Sequence, residues 1–469
     1  MPPGRVGSRQ GVTDFSRRLI GSRPRPRRGR RCAVPFRLFL YAVPVRQTRE
    51  TRALAWDTFL DTYLPALVFA LGTGIALPAI PTLARSFHVS FGLASGVLTA
   101  FLLGGVIGTI PTGWLVDRFG RRRIMIAGPL LTAALAFLVT LSQNLPELLV
   151  LRFFDGWCAQ MWLMGRMVGI SARAGADQRG RQVSWMFGFD GVGRLAGPVA
   201  GGFIATAWGL RAPFTAYGVM ALLALAPVML FIRDIEEEPR AGSGPLILSS
   251  SKDERAGRMP ALPAARMTAR QIILPRLAFF AVAFAGALAR GPIFAGLFHL
   301  YAAFTYDLGP KAIGLLATAS SGLALPVGFL AGWLMDRYGR RRALIPGFIA
   351  TGLTLLLVAA TALLHAALAW YVAAYITVVV TQSLTSGSNQ TIGADVAPPE
   401  ARGVFLGFWN FTSQSGASLS PIIFAFLAAT TGYTSAFVFL AVAALSVAVM
   451  LATYIPETGR AAIIRSPAP

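Results

Sequence analysis

The 469-residue chain has few of the residues on which soluble enzymes and secreted domains depend. Charged residues make up 13% of it, compared with about 25% in soluble proteins. Its two cysteines, Cys32 and Cys158, and its three scattered histidines give no disulfide framework and no metal-ligand spacing. The motifs HExxH, GxSxG and GxxxxGK[ST] are absent. We therefore predict no enzyme activity, no metal and no cofactor.

Long apolar runs are present instead. Hydrophobic residues make up 55% of the chain, and runs of about 20 residues recur, which is the length needed to cross a bilayer. We predict an all-α integral membrane protein with twelve transmembrane helices. The spans are predicted near 58–81, 92–115, 123–142, 147–170, 184–207, 213–233, 274–303, 311–335, 343–364, 366–392, 404–429 and 434–455.

An eleven-residue segment occurs twice. GWLVDRFGRRR begins at Gly113, and GWLMDRYGRRR begins at Gly332, 219 positions later. Each copy follows an apolar run, so we predict two six-helix bundles related by a pseudo-twofold axis, a common plan for transporters. The predicted domains are a disordered basic tail (1–55), a first bundle (56–233), a linker (234–272), a second bundle (273–456) and a tail (457–469).

The net charge of +23 comes almost entirely from arginine, since the chain has only two lysines. The excess lies in residues 1–55 and in short loops between spans, where basic residues signal membrane orientation. We therefore predict a lipid-bilayer partner and no nucleic-acid partner. The arginine distribution places both termini and the linker in the cytoplasm of a plasma or inner membrane protein.

The repeated segment resembles the signature loop of the major facilitator superfamily. Arg152 with Gly156 resembles the family's fourth-span motif, and Pro456-Glu457-Thr458 resembles a common ending of its last span. The resemblance implies two bundles that rock about a central site, with the repeated loops acting as gates. The implied gating residues are Gly113, Asp117, Arg118, Gly120, Arg121, Gly332, Asp336, Arg337, Gly339 and Arg340.

Two further motifs resemble those of the twelve-span drug:proton antiporters. Leu71-Gly72, followed by Pro78-Ala79-Ile80-Pro81, resembles the first-span motif of that branch. The fifth-span antiporter motif is matched by Gly193, Gly197, Pro198, Gly201 and Gly202. Arg194 is a bulky insertion in this Gly/Pro pattern.

Charged residues inside apolar spans are the main candidates for a site, since a charge at mid-membrane costs about 2.5–3.5 kcal/mol. Arg152, Asp155 and Arg166 lie on nearly one face of the fourth span. Asp190 and Arg194, four residues apart on the fifth span, are predicted to pair near a central cavity. We predict that the fourth-span stripe also faces that cavity. The alternative is a set of buried structural ion pairs.

Three carboxylates are predicted to carry the coupling proton, in the order Asp190, Asp155, Asp61. A membrane carboxylate can bind and release a proton as its surroundings change. In the seventh span, Arg290-Gly291-Pro292 predicts a helix break beside a charge, or else a kink with Arg290 paired to a carboxylate.

Polar and aromatic side chains in the later spans are predicted to contact substrate. These are Gln382, Asn389, Asn410, Gln414 and, from the fourth span, Trp157. The alternative is hydrogen bonding between helices, which satisfies polar groups inside a membrane protein.

These features together predict a secondary active transporter. The first hypothesis is proton-coupled efflux of a small amphipathic or cationic compound by alternating access, driven by the proton gradient and performed by a monomer. The second is proton-coupled uptake or exchange of a metabolite such as a sugar or an organic acid. The third is a non-transporting sensor or scaffold with the same fold.

Overall fold

The computed structural model describes residues 59–173, 176–231, 274–398, 402–455 and Glu457. The predicted basic tail, the predicted linker and all of the predicted C-terminal tail except Glu457 lie outside these residues. The side chain of Asp61 also lies outside the description, although its backbone belongs to a π-helical turn, Phe59–Tyr63.

The described residues fold into fifteen α-helices, two short helical turns and their connections, without strands. We group the α-helices into twelve spans in chain order. Spans 1 to 6 are α1 (Leu64–Ala76) with α2 (Ala79–Ser86), α3 (Phe91–Phe119), α4 (Arg121–Leu141), α5 (Leu145–Arg173), α6 (Ala176–Trp208) and α7 (Ala212–Phe231). Spans 7 to 12 are α8 (Leu277–Phe294) with α9 (Leu297–Thr305), α10 (Pro310–Tyr338), α11 (Arg340–Leu363), α12 (Leu368–Ser383) with α13 (Ser388–Val396), α14 (Arg402–Thr430) and α15 (Tyr433–Thr453).

Most of these spans suit a bilayer by both length and composition. Within the described ranges, nine of them are long and apolar enough to cross a membrane. The other three, spans 4, 5 and 11, have 29, 33 and 29 residues, and about 20 residues suffice. The predicted all-α fold of twelve membrane-spanning helices is therefore confirmed.

The two halves repeat one another in structure as they do in sequence. Spans 2 and 8 each have 29 residues and end at the glycine of the repeated loop. Gly120 and Gly339 combine φ angles of 82° and 95° with ψ angles of 157° and 160°, a region that essentially only glycine adopts. This explains the glycine in both copies. We call the face of these two turns the Arg-rich face, and the other the opposite face.

The predicted break in span 7 is misplaced. The helix continues through Gly291 and Pro292 to Phe294, and it breaks at Ala295-Gly296, where Gly296 has a φ angle of 83°. The amide of Ala295 still donates to the carbonyl oxygen of Gly291 at 2.8 Å. Pro292 leaves the carbonyl oxygen of Leu288 without its helical donor, and the Ser420 hydroxyl of span 11 donates to that oxygen at 2.5 Å. The helix therefore continues past Pro292 and ends where a left-handed glycine follows.

The start of span 4 is fixed by a capping arrangement at the opposite face. Asn144 Oδ1 accepts the backbone amide of Glu147 at 3.0 Å, and the Glu147 carboxylate accepts the amide of Gln143 at 2.9 Å. These bonds satisfy amides that a helix start leaves unpaired. They set where the helix begins and therefore the depth at which Arg152 and Asp155 lie.

The two halves pack together near the opposite face. Phe91, at the start of span 2, contacts the rings of Phe304 and Tyr433 in the second half. Near the same face, a side chain at Gly202 of span 5 would collide with Pro310 and Lys311 at the start of span 8. We call these contacts, together with that of Gly92 on Ala429, the seam.

Candidate functional site

Span 4 carries a buried ion pair inside the first half. Arg152 donates through Nη1 to Asp155 Oδ2, and the two residues are 6% and 3% exposed. The hydroxyl of Tyr217 in span 6 donates to Asp155 Oδ1 at 3.1 Å. The guanidinium carbon of Arg152 lies 4.5 Å from the ring centre of Phe101 in span 2. Spans 2, 4 and 6 therefore surround the pair.

A second buried ion pair joins spans 4 and 5. Arg166 donates to both carboxylate oxygens of Asp190, at 3.0 and 3.2 Å. The residues are 4% and 6% exposed, and the Arg166 guanidinium carbon lies 5.0 Å from the ring centre of Trp162. Two parallel hydrogen bonds are the strongest arrangement an arginine and a carboxylate can form.

These pairs correct two predictions. The stripe of Arg152, Asp155 and Arg166 does not line an open cavity in this conformation, because all three side chains are buried inside the first half. Asp190 pairs with Arg166 of the neighbouring span rather than with Arg194 on its own span. A guanidinium that approaches from another helix can engage both carboxylate oxygens, which makes it the better partner.

Arg194 instead extends from span 5 between the two halves. Its neighbours Gly193 and Gly197 pack against the backbone of span 1. The backbone oxygen of Leu195 accepts the Thr318 hydroxyl of span 8 at 2.9 Å. Arg194 is exposed, and its side chain points between the surface that contacts span 1 and the surface that contacts span 8.

Two of the predicted substrate contacts are also exposed between the halves. Asn410 and Gln414 lie on span 11, within about 60° of Ala425, which contacts span 2 through the seam. They are about three to four turns nearer the Arg-rich face than Ala425. We infer from these directions that Arg194 on span 5 and Asn410 and Gln414 on span 11 face the space between the halves, and we call this space the central cleft.

The remaining predicted contacts have different surroundings. Trp157 donates to the Thr112 hydroxyl of span 2 at 3.1 Å and stacks on Phe154, so helix packing uses its polar atom. The Ser413 hydroxyl donates to Asn389 Oδ1 at 2.8 Å, which links spans 10 and 11. Gln382 is buried and its Nε2 has no hydrogen-bond partner among the described residues. Gln382 therefore stays a predicted substrate contact, since an unsatisfied buried donor is costly.

Arg290 forms neither of the two predicted arrangements. Its Nε donates to the carbonyl oxygen of Gly286, one turn earlier on span 7, at 3.1 Å. A Cβ on Gly286 would lie 3.7 Å from the Phe348 ring of span 9 and 3.9 Å from Arg290 Nη2. The side chain therefore runs along span 7 on the side that faces Phe348. No described carboxylate pairs with it.

The antiporter-type motif on span 5 packs in two directions. A Cβ at Gly201 would overlap the Ile75 carbonyl oxygen of span 1, and a Cβ at Gly197 would lie 2.5 Å from the Cα atom of Gly74 on the same span. Pro198 and Gly202 face span 8, where Gly314 and Pro310 approach them. The motif thus fixes span 1 inside the first half and also forms one edge of the seam.

The two repeated loops have different surroundings. Asp336 accepts from Arg340 at 2.8 Å, and Arg340 also donates to Asp395 of span 10 at 3.3 Å. Glu457 accepts the backbone amide of Arg341 at 3.1 Å. In the first half, Asp117 is exposed and has no ion pair among the described residues, while Arg118 stacks on Trp114. The second loop is therefore bonded to residues outside it, whereas the Asp117 carboxylate of the first loop has no ion pair among the described residues.

An ion pair that the sequence did not suggest closes the seam at the opposite face. Arg85 at the end of span 1 donates to Asp307, which follows span 7, and to the carbonyl oxygen of Ala303 at 2.8 Å. The two charged residues are 222 positions apart in the chain. Nothing in local spacing could have paired them, because only the packing of the halves brings them together.

We expect charge reversal at this pair to loosen the seam. Arg85→Glu places two carboxylates together and should raise the labelling rate of a Ser95→Cys reporter by up to about fivefold, since exposed pairs contribute about 0–1 kcal/mol. Ser95 is buried beside Ala425 and Ala429 of span 11. The measurement is reaction with an impermeant maleimide in intact cells, in a cysteine-free background. Restored protection in Arg85→Glu/Asp307→Arg is the matched control, and equal rates in all variants would contradict the role of this pair.

The fold and these contacts define a class of protein. It is a multi-pass membrane protein whose duplicated halves meet at the opposite face, with a central cleft between them. The family model of the Major Facilitator Superfamily matches residues 63–306 and 277–468. The chain belongs to that superfamily, as predicted.

Curated relatives and solved structures agree with this assignment. Multidrug resistance protein 2 of Bacillus subtilis (strain 168) is 24% identical to this chain over 276 residues. That alignment covers 58% of this chain and 65% of that protein. The chain is 27% identical over 290 residues to the class B Tetracycline resistance protein of Escherichia coli, covering 61% and 68%. A crystal structure of a D-xylose-proton symporter aligns with a TM-score of 0.67 at 16% identity, over 86% of this chain and 98% of that chain. At that identity the structural likeness supports the fold alone.

Proposed function

We propose that the chain is a proton-coupled exporter of small amphipathic compounds. It belongs to a transporter superfamily, and its relatives include proteins named for resistance to drugs and to tetracycline. The observation that carries the proposal is the seam closed at the opposite face while the central cleft is exposed. A chain with two such surfaces can present one site to each side of the membrane in turn.

The arginine-rich loops set the proposed direction. The positive-inside rule assigns the Arg-rich face to the cytoplasm, so the termini and the linker are cytoplasmic. The described conformation then receives substrate from inside the cell. The exporter acts as a monomer in a plasma or inner membrane, uses the proton gradient and needs no cofactor or enzyme activity.

The two buried ion pairs supply a way to couple proton binding to a change of conformation. Asp190 and Asp155 are each held by one arginine, and protonation of either carboxylate would leave that arginine to find another partner. The cost of an unpaired buried charge is several kcal/mol, enough to shift an equilibrium between two conformations. We rank Asp190 first because its partner is on a different span, so its protonation also releases a contact between helices.

The experiment uses a double variant, since a single change would leave a buried charge alone. Arg166→Gln/Asp190→Asn keeps a hydrogen-bonded pair without charge. In inside-out vesicles with an imposed proton gradient, wild type should accumulate an amphipathic dye and the double variant should not. Dye exchange without a gradient should continue in the double variant.

Two results would contradict this proposal. Gradient-driven accumulation of dye by the double variant at the wild-type rate would show that Asp190 does not carry the coupling proton. The next variant to test would then be Arg152→Gln/Asp155→Asn. Accumulation of dye by right-side-out vesicles, but not by inside-out vesicles, would replace export with uptake.

The free carboxylate of Asp117 provides a separate prediction about gating. Because it has no ion pair among the described residues, we assign its contribution to a form closed at the Arg-rich face. Asp117→Ala should lower the turnover rate by about tenfold, or ~1.4 kcal/mol, and leave the KM nearly unchanged. Gly407→Ala of span 11 is the control, since it lies outside both repeated loops and a methyl group there meets nothing within 4 Å. Weakened binding at unchanged turnover would remove the gating role.

A further inference from the structure

The position of Arg194 has a consequence for the substrate. On span 5, Gly193 and Gly197 contact span 1, and Pro198 and Gly202 contact span 8. At 100° per residue, Arg194 points between these two directions. Val192 and Phe203, both exposed and apolar, lie about 160–180° away on the opposite side of the helix. Arg194 therefore faces the central cleft and the apolar residues face lipid.

The charge of Arg194 has no described counterion. The described carboxylates at this depth of the first half are Asp155 and Asp190, and each is held by another arginine. Arginine keeps its proton even in apolar surroundings. The exposed charge that the described residues present to the central cleft is therefore positive.

We propose that Arg194 binds a carboxylate, or another acidic group, on the exported compound. This inference rests on the proposed export function and names its substrate class: acidic or zwitterionic amphipaths rather than simple cations. The planar guanidinium matches a carboxylate through two parallel hydrogen bonds. Asn410 and Gln414, exposed on span 11 across the cleft, supply neutral donors and acceptors for the rest of the molecule.

The test compares two dyes with the same xanthene ring system and opposite charge. Fluorescein carries a carboxylate, and rhodamine 123 is an ester with a positive charge. Uptake of each is measured in inside-out vesicles by filtration, with fluorescence read afterwards at one fixed pH. Wild type should transport fluorescein. Arg194→Gln should raise the KM for fluorescein by about tenfold or more, the effect expected for losing a hydrogen-bonded charge.

Two further variants separate the ionic contact from a general effect of span 5. Arg194→Lys keeps the charge but loses the planar fork, so its KM for fluorescein should lie between those of wild type and Arg194→Gln. Arg211→Gln removes an exposed charge in the loop at the opposite face and should leave the KM for fluorescein unchanged.

Failure of the inference is distinguishable from failure of the export proposal. Wild-type transport of rhodamine 123 but not fluorescein, with the same KM in Arg194→Gln, would overturn the role of Arg194 and leave export standing. Transport of neither dye by wild type would overturn the export proposal for such amphipaths and the inference with it.

Discussion

Arg166→Ala alone is expected to destabilise the folded protein by about 3–5 kcal/mol. The change leaves the Asp190 carboxylate 6% exposed with no arginine to balance it. The bidentate contact between the two residues is the described ion pair between spans 4 and 5, so the single variant should unfold at a much lower temperature. The measurement is thermal unfolding of the detergent-purified protein, followed by size-exclusion chromatography.

Two matched controls distinguish the cost of leaving Asp190 as an unpaired buried charge from the cost of losing an arginine side chain. Arg166→Gln/Asp190→Asn should recover most of the stability, because replacing both members of a buried pair costs far less than removing one. Arg194→Gln removes an exposed arginine from span 5 and should change stability little. If Arg166→Ala unfolded at the wild-type temperature, the Arg166–Asp190 pair could not be a buried ion pair.

Gly201→Ala is expected to have the second largest effect. The added methyl group would overlap the carbonyl group of Ile75, which belongs to the backbone of span 1 and cannot rotate away. Overpacking of this kind typically costs about 1–3 kcal/mol, and occasionally more. We expect a lower yield of folded protein and a lower unfolding temperature in the same thermal assay.

Span 5 also supplies the control for this substitution. A methyl group at Gly191 meets nothing within 4 Å, and alanine favours a helix over glycine by about 0.8–1.0 kcal/mol. Gly191→Ala should therefore be as stable as wild type or slightly more stable. Similar losses in both variants would point to a general intolerance of span 5, and the close approach of spans 1 and 5 would lose its support.

The sequence predicted the helices well because bilayer length and apolar composition set them directly. Spans 2 and 8 also end at the glycines of the repeated loop, which have the positive φ angles that an abrupt turn requires. The partner of Asp190 was predicted wrongly for a physical reason. Helical periodicity gives the face on which a side chain lies, but the neighbour that face meets depends on how the helices pack.

The same limit applies to the other site residues. Spacing suggested Arg194 for Asp190, while the fold supplied Arg166 from span 4. Tyr217 binds Asp155 from 62 positions away, and an isolated tyrosine in an apolar span gives no local signal of such a role. In span 7, the break depends on the left-handed conformation of Gly296 and not on the more conspicuous Gly291-Pro292.

The two repeated loops differ in how their aspartates are engaged. Asp336 of the second loop holds Arg340, and contacts with Asp395, Ala452 and Glu457 connect that loop to other parts of the second half. Any rearrangement there would have to break several bonds at once. In the first loop, the Asp117 carboxylate is exposed and has no ion pair among the described residues, so this side chain can take a partner without first breaking an ion pair. Equivalent substitutions in the two loops are therefore expected to differ, because Asp117→Ala breaks no described ion pair and Asp336→Ala releases Arg340.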